Sequence, residues 1–157
     1  TKNIVRFVVD SNNQYYSNDD FGSLYNKDKS ILYVYANGKG GTNAYIPNTV
    51  KTIFDRAFAE STIEVVKIPS SVTTLELSPF YNMPNLKAAY VPTSVTTIKN
   101  NAFSLCNSDK LVVYTNYQKD QLPEKWSSLW NYNSNNDQME SVEFNTIYGF
   151  DADRFNF

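Results

Sequence analysis

Apolar and polar residues recur along the middle of the chain with a period of 22 to 23 residues. Each repeat begins with an apolar residue followed by proline, in the segments 46–53, 68–75 and 91–98. Proline cannot donate to a β-ladder, so this junction predicts the end of a short strand. The remainder of each segment predicts a second short strand, with inward side chains at Val50, Ile53, Val72, Leu75, Val95 and Ile98.

Two further landmarks keep the same period. A phenylalanine follows each segment at the same offset, at Phe58, Phe80 and Phe103, and an apolar-x-x-apolar-x-apolar pattern occupies 63–68 and 86–91. The last three residues of that pattern predict a strand whose apolar side chains point inward while its flanking positions face out. One coil cannot bury its own apolar face, so the three landmarks predict stacked coils with an interior phenylalanine ladder.

The regions on either side of the repeats are expected to cover the ends of the stack. Residues 23–25 and 31–35 predict a β-hairpin with a polar turn between them, and residues 111–114 predict a last strand. Residues 120–130 predict a helix, because Leu122, Trp126, Leu129 and Trp130 lie near helical spacing and Pro123 falls in the first turn. The aromatic tail, residues 142–157, has no repeat register.

The run from Val91 to Cys106, V-P-T-S-V-T-T-I followed by A-F-S-L-C, resembles the BspA-like leucine-rich repeat, also called the Treponema pallidum type. The resemblance implies a short right-handed leucine-rich-repeat solenoid with a parallel sheet, α/β in class but leaning to mostly β. We expect an N-terminal β-hairpin and capping region at 1–42, repeats at 43–114, and a C-terminal helical cap and tail at 115–157. The usual cysteine of the motif is Ser61 and Met83 in the other two repeats.

The resemblance also implies a class of function. Similar proteins are mostly secreted or surface-anchored, so it implies a cell-surface or secreted adhesion module that binds a host matrix protein, another cell-surface protein or a glycan, without catalytic activity. We expect a monomer. The alternative is an accessory or carbohydrate-binding domain of a larger glycan-active enzyme, since one scaffold hosts many functions. Residues 1–4 show no signal-peptide pattern, which indicates a cytosolic protein or a mature fragment. The resemblance favours the bacterial cell surface or the extracellular space.

Composition and charge exclude several classes of function. The 157 residues carry a net charge of −2, so no basic face is expected to bind nucleic acid or an anionic membrane. No apolar run is long enough to insert into a bilayer. The chain has no histidine, which removes the usual nucleophile activation and the commonest metal ligand, and its single cysteine cannot form an internal disulfide. We therefore expect no catalytic site, no metal and no cofactor.

Three other groups of residues could in principle carry chemistry. Cys106 could be a nucleophile, but it has no histidine partner and occupies the interior cysteine position of the motif, so a structural role is favoured. The acidic segments 18–20 and 151–153 suggest calcium, but neither has the spacing of a known loop. A carboxylate pair for sugar hydrolysis is possible, but solvated surface charge is favoured for the candidates Asp55, Glu60, Glu64 and Glu76.

The candidate binding site is a row of side chains on the sheet. One position before each strand-ending apolar residue, the chain carries Tyr45, Lys67 and Tyr90. Stacking would place these side by side on the outer face of the parallel sheet, flanked by Val65 and Ala88 and extended by residues 112–114. Such a row offers cation–π contacts and rigid amphipathic area, which suits protein or glycan recognition. The alternative is that neighbouring side chains only pack on one another, as exposed sheet pairs do.

Overall fold

Regular secondary structure consists mainly of short β-strands in the part of the chain that the computed structural model describes, residues 4–37, 41–133 and 142–155. Helical structure there is limited to short 3-10 turns, among them Lys119–Gln121 and Ala152–Arg154. The strands in chain order are β1 Tyr16–Asn18, β2 Leu24–Asn26, β3 Ile31–Val34, β4 Thr52–Ile53, β5 Val65–Lys67, β6 Thr74–Leu75, β7 Ala88–Val91, β8 Thr97–Ile98, β9 Val112–Thr115, β10 Tyr132–Asn133, β11 Val142–Glu143 and β12 Asn145–Ile147.

Successive coils add strands to two sheets. The first sheet has the order β12-β9-β7-β5 and is parallel throughout. In the second sheet, of order β1-β2-β3-β4-β6-β8, the strands from β3 onward are parallel and the predicted hairpin β2–β3 is antiparallel. Each sheet is lengthened by a single bridge, from Asn43 to Val65 and from Ile98 to Trp126. The predicted solenoid of stacked coils with a parallel sheet is thus confirmed.

The predicted phenylalanine ladder runs through the centre of the stack. The ring centroids of Phe58 and Phe80 lie 5.2 Å apart and those of Phe80 and Phe103 lie 5.3 Å apart, with all three side chains fully buried. The ladder continues at both ends, through Tyr35 stacked 4.4 Å from Phe58 and Phe144 packed edge-on 6.2 Å from Phe103. The hairpin and the tail therefore each supply a ring that closes one end of the column.

Aliphatic side chains fill the space around the rings as the repeat predicts. The three residues that precede the prolines, Ile46, Ile68 and Val91, are buried. So are the inward residues predicted for the second sheet, namely Val50, Ile53, Val72, Leu75, Val95 and Ile98. The core is therefore one continuous column, because each coil covers the apolar side of its neighbour.

Two corners of each coil place non-glycine residues in the left-handed region. At most of these corner residues the backbone N–H donates to a carbonyl oxygen of the next coil; that of Asn82, for example, donates to Ser104 O at 2.8 Å. The left-handed conformation thus supplies hydrogen bonds between coils. It carries a steric cost for any residue that has a Cβ. The residues at the first corner are Arg56, Ser78 and Asn101, and those at the second are Glu60, Asn82 and Leu105.

Residues 120–130 form no α-helix, so the predicted helical cap is wrong. Their backbone bonds to the preceding coil instead: Ser127 N donates to Ile98 O at 2.9 Å, and Ala102 N donates to Trp130 O at 3.0 Å. The indole N–H of Trp126 donates to Val95 O at 3.0 Å. The apolar spacing that suggested a helix belongs to a further, irregular coil, whose turns bring Trp126 and Trp130 onto the core.

Replacing a ring in the middle of the ladder should be costly. We expect Phe80→Ala to lower the free energy of unfolding by about 3–5 kcal/mol, because it removes a fully buried ring and leaves a cavity. The matched control Phe54→Ala removes a ring that is 40% exposed and should cost less than half as much. Urea denaturation of the two variants measures the difference. Equal losses would contradict the ladder as the centre of the core.

The left-handed corner at Asn82, where φ is 50°, gives a second test. Asparagine tolerates this conformation, whereas a β-branched residue does not. We expect Asn82→Val to lower the free energy of unfolding by about 1–2 kcal/mol. Asn82→Gly should change it by less than about 1 kcal/mol, because glycine adopts positive φ readily. Thermal and urea unfolding report both values, and a neutral valine variant would refute the assigned corner.

Candidate binding face

Strand register places the predicted row on the outer side of the first sheet. Lys67 on β5 lies opposite Tyr90 on β7, and Tyr90 lies opposite Tyr114 on β9. The bridge between Asn43 and Val65 sets the register that aligns Tyr45 with Lys67. The row therefore runs in the order Tyr45, Lys67, Tyr90 and Tyr114 across four coils.

The members of the row differ in how far they reach solvent. Tyr45 is 50% exposed, and its ring packs edge-on against Phe21 at 5.7 Å. Lys67 is exposed, whereas Tyr90 is only 3% exposed. The structure thus leaves one half of the row open and closes the other, which the sequence did not indicate.

The cover over Tyr90 is the tail of the chain. The ring of Phe155 lies 5.3 Å from those of both Tyr90 and Tyr114, and the ring of Phe150 lies 4.8 Å from that of Tyr114. These contacts form a small apolar cluster outside the main core, with Ala88, Tyr90 and Phe155 as its buried members. The aromatic content of the tail was the sequence signal for it, but no period linked the tail to a docking position. Residues 156–157 of the predicted tail lie outside the described residues.

Burial changes the chemistry of Tyr90. Removal from water raises the pKa of its phenol, and the carboxylates of Asp151 and Asp153 raise it further. The neutral phenol is thereby favoured, and it donates to Asn116. Tyr90 consequently acts as part of the floor beneath the tail.

A groove of about 440 Å³ occupies the open half of the face. Tyr45 and Lys67 form part of its lining, the residues around Pro69 and Pro92 form another part, and Ala152 of the tail contributes as well. The groove thus combines an aromatic ring, an ammonium group and rigid proline edges. Such a surface can take an apolar side chain beside an acceptor for the lysine.

The carboxylates considered for sugar hydrolysis are distributed over different surfaces. Glu64 pairs with Lys87 at 2.8 Å, and Glu76 pairs with Lys99. In both pairs the lysine side chain is more than half exposed, and surface pairs of this kind contribute little to stability. Neither carboxylate lines the groove beside Tyr45.

Asp55 and Glu60 are two candidate carboxylates that share a surface groove. They line a shallow groove of about 360 Å³ on another part of the surface, together with Arg56. The guanidinium of Arg56 lies 4.5 Å from the centre of the Tyr81 ring. Asp55 Oδ1 accepts a hydrogen bond from Leu77 N at 3.0 Å, which ties this carboxylate to the turn of the next coil.

The acidic segments suggested for calcium have structural partners. Asp19 accepts hydrogen bonds from two backbone N–H groups and from the Tyr25 hydroxyl at 2.9 Å. Asp151 Oδ1 accepts from Asp153 N at 3.0 Å and so caps the 3-10 turn of the tail. Among the described residues, no three His, Cys, Asp or Glu side chains come together where they could hold a metal ion.

Cys106 lies in the interior, as the repeat predicts. Its side chain is 2% exposed, and its thiol donates to Phe80 O at 3.1 Å. Burial raises the pKa of the thiol to about 12, because the charged thiolate is poorly solvated there. The group is therefore a neutral thiol at physiological pH and lacks the thiolate character that a nucleophile needs.

The period, the inward residues and the ladder agree with a known repeat family. The model of the BspA type leucine rich repeat region matches residues 32–155 in six copies. The chain belongs to the BspA-type leucine-rich repeat family. This match includes the irregular coil at 120–130 and most of the tail, so the BspA-type repeat extends beyond the three copies that the sequence pattern revealed. No curated protein matches the chain.

Two solved structures are similar to this BspA-type chain. A leucine-rich repeat protein from Eubacterium ventriosum is 34% identical with a TM-score of 0.68, over 75% of this chain and 31% of that one. The pneumococcal vaccine antigen PcpA is 15% identical with a TM-score of 0.56, over 71% of this chain and 33% of its own, a likeness of fold alone. The chain thus spans about a third of each neighbour. Within the described residues, no helix has the length and apolar character needed to cross a membrane.

The buried thiol gives a pH-dependent test. The folded chain keeps the Cys106 proton up to about pH 12, whereas the unfolded chain releases it at about pH 8.5. This contribution to stability is complete below about pH 8.5 and is lost as the pH rises towards about 12. We expect the free energy of unfolding to fall between pH 7 and pH 10 by a larger amount in the wild type than in Cys106→Ala, measured in urea.

The reactivity of the thiol provides a second measurement of the same prediction. A disulfide reagent at pH 8 should label Cys106 rapidly in urea and very slowly in the folded chain. Rapid labelling of the folded protein would contradict a buried thiol.

Proposed function

We propose that this chain is a protein-interaction module for adhesion at the bacterial cell surface, acting as a monomer without catalytic activity. The observation that carries the proposal is the open half of the sheet row, where Tyr45 and Lys67 border a groove. The preferred partner is a host matrix protein or another cell-surface protein.

The side chains at this groove are of the kind that dominate binding between proteins. Tyrosine supplies a large rigid surface at low entropic cost, and it is enriched among residues that carry most of the binding energy. The contact of Tyr45 with Phe21 orients its ring before a partner arrives. Lys67 adds a positive charge next to that ring, which favours an acidic or carbonyl-rich partner surface.

The family and one structural neighbour support the surface location. BspA-type repeats build an extended stack whose sheet presents a row of side chains, a form suited to binding other macromolecules. One neighbour that shares the fold is a pneumococcal vaccine antigen. Because the chain spans about a third of each neighbour, a role as one module of a longer surface protein fits these proportions.

Chemistry at the described surfaces favours binding over catalysis. The sequence contains no histidine, and the thiol of Cys106 is held neutral in the core. Glu64 and Glu76 are paired with lysines on the surface. A module of this kind would need neither a metal nor a cofactor.

The proposal predicts that Tyr45→Ala weakens adhesion. We expect a loss of about tenfold to a hundredfold in affinity for a matrix protein, equivalent to about 1.4–2.8 kcal/mol. The measurement is surface plasmon resonance on a panel of immobilised extracellular-matrix proteins. The matched control is Tyr16→Ala, because Tyr16 is 46% exposed and lies on β1 of the other sheet. Stability of either variant should change by less than about 1 kcal/mol.

The outcomes of this experiment distinguish protein binding at Tyr45 from binding at another site and from glycan binding. Binding that falls in Tyr45→Ala and persists in Tyr16→Ala supports the module and its site. Equal binding by the wild type and Tyr45→Ala would reject this site. Binding confined to a glycan array would favour the carbohydrate-binding alternative.

A further inference from the structure

The tail segment 150–155 shows what kind of ligand the closed half of the face accepts. Two phenylalanine rings of this segment pack on two tyrosines of the sheet, Phe155 on Tyr90 and Tyr114, and Phe150 on Tyr114. Phe155 is 3% exposed, so its ring is almost fully removed from water. The aromatic pair is the main apolar contribution of the segment, and its two members are five positions apart in the sequence.

The polar contacts of the segment with the repeats go largely to its backbone. Phe150 N donates to Thr115 O at 2.9 Å, and Asn116 Nδ2 donates to Phe150 O at 2.6 Å. At the other end, Lys67 Nζ donates to Ala152 O at 3.5 Å and to Phe155 O at 3.4 Å. Backbone groups are common to every peptide. The arrangement therefore selects for two aromatic side chains at the right spacing and is tolerant of the residues between them.

We propose that this face is a peptide-recognition surface, to which a partner protein's segment with two aromatic side chains five positions apart binds in place of residues 150–155. The inference rests on the proposed function and names the class of partner that the face would take. The apolar cluster beneath the segment is small and lies outside the main core, so residues 150–155 can leave while Phe144 and β12 keep their places in the stack. Residues 150–155 then act as an intramolecular ligand that the partner segment displaces.

The open groove continues this interface. Ala152 and Asp153 of the tail line the groove, and so do Lys67 and Tyr90 of the sheet beneath the tail. Tyr45 lines the part of the groove that the tail leaves open. A partner segment longer than six residues would extend along the same face and reach Tyr45. The predicted contact at Tyr45 and the recognition of two aromatic side chains thus belong to one surface.

The test is exchange of the segment in the intact 157-residue chain. The probe is a fluorescein-labelled peptide with the sequence of residues 149–155, G-F-D-A-D-R-F, followed by fluorescence anisotropy. In the wild type the attached tail competes at a local concentration of about millimolar, so the probe should bind weakly. Phe155→Ala weakens the attached tail and should raise the affinity for the probe about tenfold or more. Phe150→Ala acts on the other ring and should have the same direction of effect.

Two controls make the result specific. Phe54→Ala removes a ring that is 40% exposed near β4 of the other sheet, and it should bind the probe as the wild type does. A probe with alanine in place of both phenylalanines should bind to none of the variants. Circular dichroism melting of each variant verifies that the stack is folded, and Lys67→Ala combined with Phe155→Ala should reduce the gained affinity.

Specific results would overturn the proposed peptide-recognition surface. The proposal is overturned if folded Phe155→Ala and Phe150→Ala bind the probe no better than the wild type, or if the phenylalanine-free probe binds equally well. Concentration-dependent self-association of Phe155→Ala in light scattering would assign the face to a second copy and also overturn it. A positive adhesion result at Tyr45 with no gain in peptide binding would reject this inference alone and leave the proposed function in place.

Discussion

Every part of this structure depends on one constraint, that a single coil cannot bury its own apolar side. The chain meets it by stacking coils so that each aromatic ring lies against the ring of the next coil, from Tyr35 through Phe58, Phe80 and Phe103. Since this column must be closed at both ends, the segments outside the regular repeats are shaped by it as well. The hairpin supplies Tyr35, and the chain after the irregular coil supplies Phe144 beneath Phe103.

The regular coils could be predicted because their constraints are local and repeated. Proline ends a strand wherever it occurs, and an inward phenylalanine at a constant offset leaves a clear period. The irregular coil gave no such signal: its first bridge to the preceding coil comes at Trp126, 28 residues after Ile98, while the earlier period is 22 to 23. Because Leu122, Trp126 and Leu129 happen to fall near helical spacing, the pattern predicted a helix where the backbone in fact bonds to its neighbour.

In the candidate site, too, the features that follow the repeat could be predicted and the others could not. The side-by-side placement of Lys67 and Tyr90 follows from strand alternation and from the repeat period, and both can be recognised in the sequence. That Phe155 covers Tyr90 could not be deduced, because docking of a tail is a contact between distant residues with no period to reveal it. The exposure of each residue in the row therefore had to come from the structure. The aromatic character of the row was already evident from the sequence.

The contacts of residues 150–155 also change how cooperatively the stack is expected to unfold. In a solenoid each repeat touches only its nearest neighbours, so stability is a sum of local terms and the ends can fray one repeat at a time. Residues 150–155 contact Lys67 on β5, Tyr90 on β7 and Tyr114 on β9, which belong to three successive coils. Opening any one of these coils would forfeit contacts held by the others. Residues 150–155 thereby join three repeats into a single cooperative unfolding unit.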